Sequence, residues 1–445
     1  MEVDLVIKSK WVVPVVPREK VLTDHAIAVK DKKILAIGPI NSITTQYQCT
    51  NITSLNNHIL IPGLVNAHGH APMALLRGSA DDIPLKEWLE EKIWPLEDKL
   101  IDRQFVFEGA THAIAEMIRS GTTCFADMYF FPDEVAKASL AAHIRVQLAS
   151  PVLDFPTVWA QDADEYINKA TQLHDDYRDS ELVSTAFGPH APYTVSDAPL
   201  QKLSVLAEEL DLPIHIHLHE TAQEISEAIA SDGRRPLQRL QELGLLSTRL
   251  NCIHATQLQE KEIESIAEHG ANILHCPESN MKLASGFCPV AKLVKQGINV
   301  GLGTDGAASN NDLDMFSEMR SAALMAKVVS EDARAVPAAI ALEMATINGA
   351  KALGLESDIG SLEIGKSADI TAINLDSINS QPVNNPLSHL VYCINSAQVS
   401  DVWCSGVQIL DNGTLTTLNL NKIMQTAETW QTKVVNQLDQ YHGQC

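Results

Sequence analysis

Two histidines one residue apart follow an apolar run early in the chain. The run is ILIPGLV, and His68 and His70 come shortly after it in NAHGHAP. Residues i and i+2 of an extended strand point to the same face, and Gly69 leaves the space between the two rings open. Two imidazoles directed at one point are typical of a metal site, which needs further ligands from elsewhere in the chain.

Residues of the metal-binding kind also end several later apolar runs. They are His190 after VSTAFGP, His217 and Glu220 in PIHIHLHE, His254 in LNCIHA and Asp305 in GLGTDG. If these runs are parallel strands of one barrel, their carboxyl ends converge, and side chains far apart in sequence can share one ion. A catalytic zinc needs nitrogen and carboxylate ligands and an open position for water.

The predicted ligand set joins three imidazoles and one carboxylate, namely His68, His70, His217 and Asp305. His215 and His219 share a face with His217, and only one of the three can lie at the height of the ion. We assign His217, because Glu220 then lies just beyond the strand, beside the ion. A single histidine is more often a structural residue than a ligand, whereas HxH, HxxE and TD at three strand ends rarely coincide by chance. Zinc suits this set, although iron, manganese or nickel could occupy the same ligands.

The elements that would bring these residues together alternate between apolar runs and amphipathic stretches such as AIAEMIRSG and PLQRLQELG. Eight strand-like runs alternating with helices predict an α/β fold, a TIM-type (β/α)8 barrel over residues 61–364 whose strand ends form the catalytic face. Short strands and turns at 1–60 and 365–417 predict one small β-sandwich domain built from both chain ends, although two unrelated hairpins would give the same pattern. A surface helix is expected over 418–445.

The composition argues against several classes of function. The chain of 445 residues carries 33 Lys and Arg against 56 Asp and Glu, a formal net charge of −23. Such a surface repels phosphate backbones and anionic lipids, so we expect no nucleic-acid partner and no membrane partner. The 8 cysteines form no CxxC pair, and no segment reads as a signal peptide or a membrane span. We therefore expect a cytoplasmic protein.

Longer motifs run through nearly the whole chain and include PGLVNAHGHAPMALLRG, WLEEKIWPLE, FGPHAPYTVSD, HIHLHET, CPESNMKLASG, GTDGAASNNDLDMFSEMR and ATINGAKALGLESDIGSLEIGKSADI. These strings resemble the amidohydrolase superfamily and, within it, the 5′-methylthioadenosine/S-adenosylhomocysteine deaminase family. The resemblance implies a metal-centred barrel with a composite β-sandwich and one zinc ion per subunit. Two-metal relatives carry a bridging carboxylated lysine at the fourth strand, where this chain has His190.

The reaction that the resemblance implies is hydrolytic deamination of an adenine nucleoside to the inosine derivative and ammonia. A divalent ion lowers the pKa of its bound water from 15.7 to about 7, and the hydroxide attacks C6 of the base. In this scheme Asp305 takes the water proton, Glu220 donates a proton to the ring nitrogen N1, and His254 stabilises the tetrahedral intermediate.

Contacts to the substrate also follow from the resemblance. Glu97 accepts hydrogen bonds from the ribose hydroxyls, His190 contacts the nucleoside, and Trp88 forms an apolar wall near the sugar and its 5′ substituent. Glu220 and Asp305 touch the base during the reaction. Without the resemblance, Glu97 would be interpreted as a solvated helix residue and Trp88 as ordinary core packing.

One segment departs from the family pattern. Relatives that handle S-adenosylhomocysteine well place arginines near the end of the third strand, where they hold the amino-acid carboxylate. Here that segment is ASPVLDFPTVW, without arginine, and Arg145 lies at the start of the strand. A buried carboxylate without a cationic partner is costly. We therefore expect methylthioadenosine or adenosine to be preferred over S-adenosylhomocysteine.

Two alternatives remain at this point. Guanine, pterin and triazine deaminases or chlorohydrolases of the same branch share the metal ligands, and Glu97 argues for a ribose against them. A non-catalytic scaffold protein would usually have lost ligands that this chain retains. The expected partner is a small-molecule purine nucleoside, and a homo-oligomer, common in the family, stays open.

Overall fold

A computed structural model describes residues 1–442. The chain begins with the strands β1 (Leu5–Val12), β2 (Leu22–Lys30), β3 (Lys33–Pro39) and β4 (Ile52–Pro62), with a short helix, α1 (Ile40–Gln46), before β4. β2 pairs antiparallel with both β1 and β3, and β4 lies parallel to β1. The strands are rich in Val and Ile, whose branched side chains pack well on a pleated surface.

The next eight strands form the barrel. They are β5 (Leu64–Asn66), β6 (Thr122–Asp127), β7 (Arg145–Val152), β8 (Val183–Pro189), β9 (Ile214–Leu218), β10 (Leu250–His254), β11 (Asn272–His275) and β12 (Val300–Leu302). Each strand from β6 to β12 pairs in parallel with the strand before it, and all eight are almost entirely buried, as expected when helices cover a parallel sheet. The Ala67 N–H donates to the Leu302 carbonyl at 2.9 Å, which joins the two ends of the sheet. The predicted (β/α)8 fold is confirmed.

Helices lie between the barrel strands and cover them. They are α2 (Leu85–Glu87), α3 (Trp94–Leu100), α4 (Arg103–Arg119), α5 (Pro132–Ala142), α6 (Ala163–Tyr177), α7 (Asp197–Glu209), α8 (Ala222–Asp232), α9 (Pro236–Glu242), α10 (Glu260–His269), α11 (Pro277–Lys282), α12 (Val290–Lys295), α13 (Met315–Ser330), α14 (Ala338–Met344) and α15 (Ile347–Ala352). Side-chain caps begin several of them; Asp102, for example, accepts the Phe105 N–H at the start of α4. A π-helical turn, Trp88–Ile93, joins α2 to α3, and such turns often occur at functional sites.

The late strands complete the sheet that the first four begin. They are β13 (Ile370–Asn374), β14 (Val399–Cys404), β15 (Val407–Asp411) and β16 (Thr414–Leu415), with α16 (Pro386–Tyr392) after β13. β13 pairs antiparallel with β4, so both chain ends contribute to one mixed sheet ordered β16–β15–β14–β13–β4–β1–β2–β3. The predicted small β-sandwich domain built from both chain ends is confirmed, in the form of one mixed sheet to which both ends contribute strands. β4 crosses residue 60, so the domain boundary placed there stays a prediction.

Gly63 marks the passage from this sheet into the barrel, between β4 and β5. A Cβ atom at this position would lie 2.0 Å from the hydroxyl oxygen of Thr123, so only glycine allows the two segments to approach this closely.

A long helix, α17 (Leu420–His442), ends the described part of the chain. It packs on α4, where the Trp430 ring lies 5.1 Å from that of Phe105 and its Nε1–H donates to Glu108 at 2.6 Å. The surface helix expected over 418–445 includes residues 443–445, which lie outside the described residues. Within residues 1–442 no helix combines the length and apolar character needed to cross a bilayer.

Candidate metal centre and active site

The structure brings the predicted ligands together at the carboxyl end of the barrel. His68 and His70 follow β5, His217 lies in β9, and Asp305 follows β12. The His217 and His68 Nε2 atoms are 3.3 Å apart, and the His70 Nε2 atom lies 3.3 Å from Asp305 Oδ1. Asp305 Oδ1 is also 3.7 Å from His68 Nε2. Two sets of three donor groups share His68 and each lie within 4.8 Å, namely His68 with His70 and Asp305, and His68 with His217 and His254, so the four predicted ligands are gathered around one point beside the His68 ring, with His254 next to them.

Hydrogen bonds at the far side of two rings fix the nitrogen that faces this point. His70 Nδ1 lies 2.6 Å from the Met128 carbonyl, and His217 Nδ1 lies 2.7 Å from the His190 carbonyl. A carbonyl only accepts, so each Nδ1 carries a proton and, in the neutral ring, each Nε2 presents a lone pair. This arrangement is the one that metal-ligating histidines usually adopt.

The carboxylate of Asp305 is held from several sides. Its Oδ2 accepts from the hydroxyls of Ser279 at 2.6 Å and Ser309 at 3.1 Å, and its Oδ1 accepts the Gly306 N–H at 2.8 Å. The backbone of Asp305 has φ 63°, a left-handed conformation that a non-glycine residue adopts at a cost. His254, at the end of β10, is similar, with φ 71°.

The donor set fits a divalent ion. Burial keeps the pKa of His68 and that of His217 well below the usual value, so both rings are neutral and able to coordinate. Burial works against the charge on Asp305, but hydrogen bonding and the charge of His70 outweigh it and hold that pKa well below its usual range. Burial also works against the charge of His70, but its hydrogen bond to Asp305 outweighs that effect and raises the pKa of His70 to about 9, so a bound ion would have to displace this proton. Three ring nitrogens and an ionised carboxylate would then form an N- and O-donor site suited to zinc.

Glu220 and His254 border the cluster on one side. Glu220 Oε2 lies 3.7 Å from His254 Nε2, and burial raises the pKa of Glu220. His254 Nδ1 is 2.8 Å from the Asn280 side-chain oxygen, which fixes the ring, and its ring stacks 5.5 Å from that of His217. A buried carboxyl that holds its proton at higher pH is suited to act as a general acid.

The other two histidines of the HIHLHE run have structural contacts. His215 Nε2 lies 2.9 Å from the Gln147 side-chain oxygen inside the barrel, and His219 Nε2 accepts the Leu237 N–H at 3.1 Å. Of the three, His217 alone reaches the cluster of donor groups. The position of Glu220 three residues after His217 is therefore the sequence feature that distinguishes His217 from His215 and His219.

A cavity of about 340 Å³ opens directly above the donor groups. The residues predicted to contact substrate, Trp88, Glu97 and His190, all line it. The Trp88 ring is buried and its Nε1–H donates to the Ala80 carbonyl at 3.1 Å. His190 Nδ1 lies 3.0 Å from the Thr194 hydroxyl. Most of the remaining lining is apolar, namely Met73, Leu85, Leu89, Ile93, Trp94, Ile101, Met128, Phe130, Pro151, Leu153, Phe155, Pro156, Val158 and Leu283.

Sequence reasoning missed the side chains that hold these groups in place. Ser279 and Ser309 bind Asp305, Asn280 binds His254, and Tyr129 donates to Glu97 Oε1 at 2.6 Å. Serines and asparagines are frequent in loops, so type and spacing gave no signal for them. Only the position of Tyr129, directly after a barrel strand, could have drawn attention to it.

Comparisons with known proteins agree with this arrangement. Residues 59–409 match the amidohydrolase family. The chain is 50% identical to a 5-methylthioadenosine/S-adenosylhomocysteine deaminase of Teredinibacter turnerae, over 97% of this chain and 98% of the relative. A protein of the same name from Saccharophagus degradans is 48% identical over 97% of each chain. An adenosine deaminase from Xanthomonas campestris with bound zinc superposes with a TM-score of 0.97 at 47% identity, covering 98% of this chain and 99% of the other.

Proposed function

The chain belongs to the amidohydrolase family, and we propose that it is a metal-dependent enzyme that hydrolytically deaminates adenine nucleosides. The observation that carries the proposal is the convergence of His68, His70, His217 and Asp305 beneath a cavity that also contains a buried, protonatable Glu220. The names of the similar proteins support the same substrate class.

We propose zinc as the ion, with His68, His70, His217 and Asp305 as its ligands. The nitrogen and carboxylate donors suit zinc, and the similar Xanthomonas campestris protein binds it. When bound, a divalent ion supplies an oxygen nucleophile at neutral pH, because it lowers the pKa of water from 15.7 to about 7.

Three side chains have separate roles in the reaction: two transfer protons and one forms a hydrogen bond to the attacking oxygen. Glu220 holds a proton and donates it to N1 of the base, which makes C6 open to attack by water. Asp305, which remains ionised, accepts one proton of that water and passes it to the departing amine. The second water proton leaves the new C6 hydroxyl as the amine departs and returns to Glu220, so that the carbonyl forms and the acid is restored. His254 forms a hydrogen bond to the incoming oxygen, and Asn280 keeps the ring in position for it. The products are the inosine derivative and ammonia.

The cavity determines which nucleoside fits. Glu97 accepts hydrogen bonds from the ribose hydroxyls, His190 contacts the nucleoside, and Trp88 forms a wall beside the 5′ substituent. Among the residues described as lining the cavity, none is Lys or Arg. An apolar 5′ group is therefore favoured over one that carries a carboxylate.

The arginine side chains near this site already form hydrogen bonds or ion pairs with acidic residues. A neighbouring cavity shares Phe155 and Tyr193 with the first and contains Arg234 and Arg239. Arg239 Nε donates to Asp197 at 2.7 Å, and Arg234 Nη1 donates to Glu242 at 2.7 Å. Arg145 lies at the opposite end of the barrel, where it pairs with Asp369 at 3.6 Å. This placement supports a preference for methylthioadenosine or adenosine over S-adenosylhomocysteine.

A substrate panel tests the proposal. Purified protein with its metal content measured is incubated with adenosine, 5′-methylthioadenosine, guanine and melamine, and ammonia release is followed. We expect release from the two nucleosides only. Release from guanine or melamine but from neither nucleoside would favour the rival activities of the same branch, and turnover of none of the four would favour a scaffold protein.

A further inference from the structure

Two consecutive residues after β6 each contact a different part of the site. The Met128 carbonyl accepts the Nδ1–H of His70 at 2.6 Å, and the Tyr129 hydroxyl donates to Glu97 Oε1 at 2.6 Å. The Tyr129 side chain is buried, and its ring lies 6.5 Å from the His70 ring. The end of one barrel strand thus connects the metal cluster to a carboxylate on α3, which belongs to a different segment of the chain.

Glu97 has the properties of an acceptor for a sugar diol. It lines the cavity from α3, outside the cluster formed by His68, His70, His217 and Asp305. An ionised carboxylate offers about four acceptor positions and no donor, whereas a ribose ring presents two neighbouring hydroxyls that can donate. Tyr129 occupies one acceptor position on Oε1, so the remaining ones are free for both sugar hydroxyls.

We propose that Tyr129 is a positioning residue that gives this site its preference for a ribose diol, by fixing the carboxylate of Glu97 in the orientation that receives both hydroxyls. The inference rests on the proposed nucleoside deaminase activity and adds a residue that determines specificity. Tyr129 does not touch the reacting atoms; it acts through Glu97.

The charge of Glu97 supports the same role. Burial raises the pKa of Glu97 to about 7, and the hydrogen bond from Tyr129 opposes that rise. Tyr129 therefore helps to keep Glu97 ionised near neutral pH, the form that accepts hydrogen bonds without donating one. Loss of the hydroxyl would affect both the orientation and the charge of the acceptor.

The test compares two substrates in wild type and in Tyr129→Phe. Adenosine carries the diol, and 2′,3′-dideoxyadenosine lacks both hydroxyls. We expect Tyr129→Phe to lower kcat/KM for adenosine about tenfold, mainly through KM, since a hydrogen bond to a charged group is lost. For the dideoxy substrate kcat/KM should remain unchanged, because this substrate has no hydroxyl groups that could donate hydrogen bonds to Glu97.

A matched control removes an equivalent hydroxyl elsewhere. The buried Ser139 on α5 does not line the cavity and donates to the Val135 carbonyl at 2.9 Å, so Ser139→Ala deletes one buried hydroxyl hydrogen bond away from the substrate. We expect it to leave the ratio of the two kcat/KM values unchanged. Metal content and thermal unfolding are measured for each variant, and Tyr129→Leu, which also lacks the hydroxyl, replaces Tyr129→Phe if that variant does not fold.

The outcomes separate this inference from the proposed function. Equal losses on both substrates in Tyr129→Phe would overturn the role of Tyr129 while wild-type turnover of adenosine would uphold the deaminase activity. If wild type turns over neither substrate, both fail. A loss of kcat/KM that is confined to adenosine supports both the positioning role of Tyr129 and the deaminase activity.

Discussion

At the scale of single residues, two neighbouring carboxyls have opposite protonation behaviour. Interaction with His70 holds the pKa of Asp305 well below its usual range, while burial raises that of Glu220. Environments that separate the pKa values of two carboxyls are typical of sites where one acts as acid and the other as base. The opposite shifts are the physical basis for assigning the proton to Glu220.

Replacement of Glu220 tests this assignment. Glu220→Gln keeps the shape of the side chain but removes the transferable proton, so we expect kcat for adenosine to fall by about 10²–10⁴-fold with metal content unchanged. The exposed Glu208 on α7 provides the matched control, since Glu208→Gln should retain full activity. Full turnover by Glu220→Gln would remove the acid role.

Glu97 makes a prediction about stability and pH. Burial raises the pKa of Glu97 to about 7 in the folded protein. Between the ordinary pKa of a glutamate and pH 7, the unfolded chain therefore binds fewer protons than the folded protein, and the free energy of unfolding falls as the pH rises through that interval. Glu97→Gln removes this cost. Its melting temperature should exceed that of wild type at pH 8 by an amount corresponding to about 1–3 kcal/mol, and the difference should shrink at pH 5. A difference that is equal at both pH values, measured by thermal unfolding, would contradict the buried ionisation.

Residue types and spacing predicted which side chains meet, but not what holds them. His68 and His70 were recognisable because the two-residue period of a strand places both on one face. Ser279 and Ser309 were not, because Ser279 lies in α11 and Ser309 in the loop after β12, and their approach to Asp305 depends on the path of the whole barrel. Hydrogen bonds between such separate segments leave no periodic signal in the sequence.

At the scale of elements, the turn from β9 into α8 presents Glu220 to the cavity. Glu224, in the first turn of α8, accepts the N–H groups of His219 at 3.0 Å and Glu220 at 2.7 Å. The Thr256 hydroxyl donates to the Glu220 carbonyl at 2.7 Å. The backbone of Glu220 is therefore fixed on both sides, and His219 adopts a left-handed conformation with φ 56° to make the turn.

Removal of the Glu224 carboxylate should loosen this turn. We expect Glu224→Ala to lower kcat about tenfold or more and to destabilise the protein by about 1–3 kcal/mol, because two buried N–H groups lose their acceptor. Glu227→Ala, on the exposed face of the same helix, is the control and should change neither quantity by a comparable amount. Steady-state kinetics and thermal unfolding decide, and wild-type kcat in Glu224→Ala would show that the turn needs no such support.

Elements differed in how well the sequence predicted them. All eight barrel strands were recognisable as apolar runs, even the three-residue strands β5 and β12, because their flanking residues are apolar as well. The π-helical turn Trp88–Ile93 was not, since a widened turn breaks the 3.6-residue period on which helix prediction depends.

At the scale of the whole molecule, cavity charge limits the size and kind of substrate. S-adenosylhomocysteine should be deaminated with kcat/KM at least about tenfold below that of 5′-methylthioadenosine, because its amino-acid carboxylate would enter a cavity without a cationic partner. Phe155, 41% exposed at the cavity rim, allows the reverse experiment. Phe155→Arg should raise the efficiency with S-adenosylhomocysteine relative to 5′-methylthioadenosine, whereas Phe155→Leu should not. Comparable efficiencies for both substrates in wild type would refute the preference.

The assembly of both chain ends into one sheet was predictable in outline only. Strand-like patterns at the two ends suggested a common domain, and the structure confirms it. The pairing of β13 with β4, in which Ala372 lies opposite Leu60, depends on contacts across more than 300 residues of chain. When strands have similar compositions, the sequence does not show which strand pairs with which.

Metal dependence of adenosine deamination is the most direct test of the central claim. The protein is purified, depleted of metal with a chelator and reloaded with zinc, and both metal content and conversion of adenosine to inosine are measured in parallel, in wild type and in Asp305→Asn. We predict that depletion abolishes turnover, that one zinc per chain restores it, and that Asp305→Asn remains inactive after reloading. Undiminished deamination by the metal-depleted protein would contradict the account.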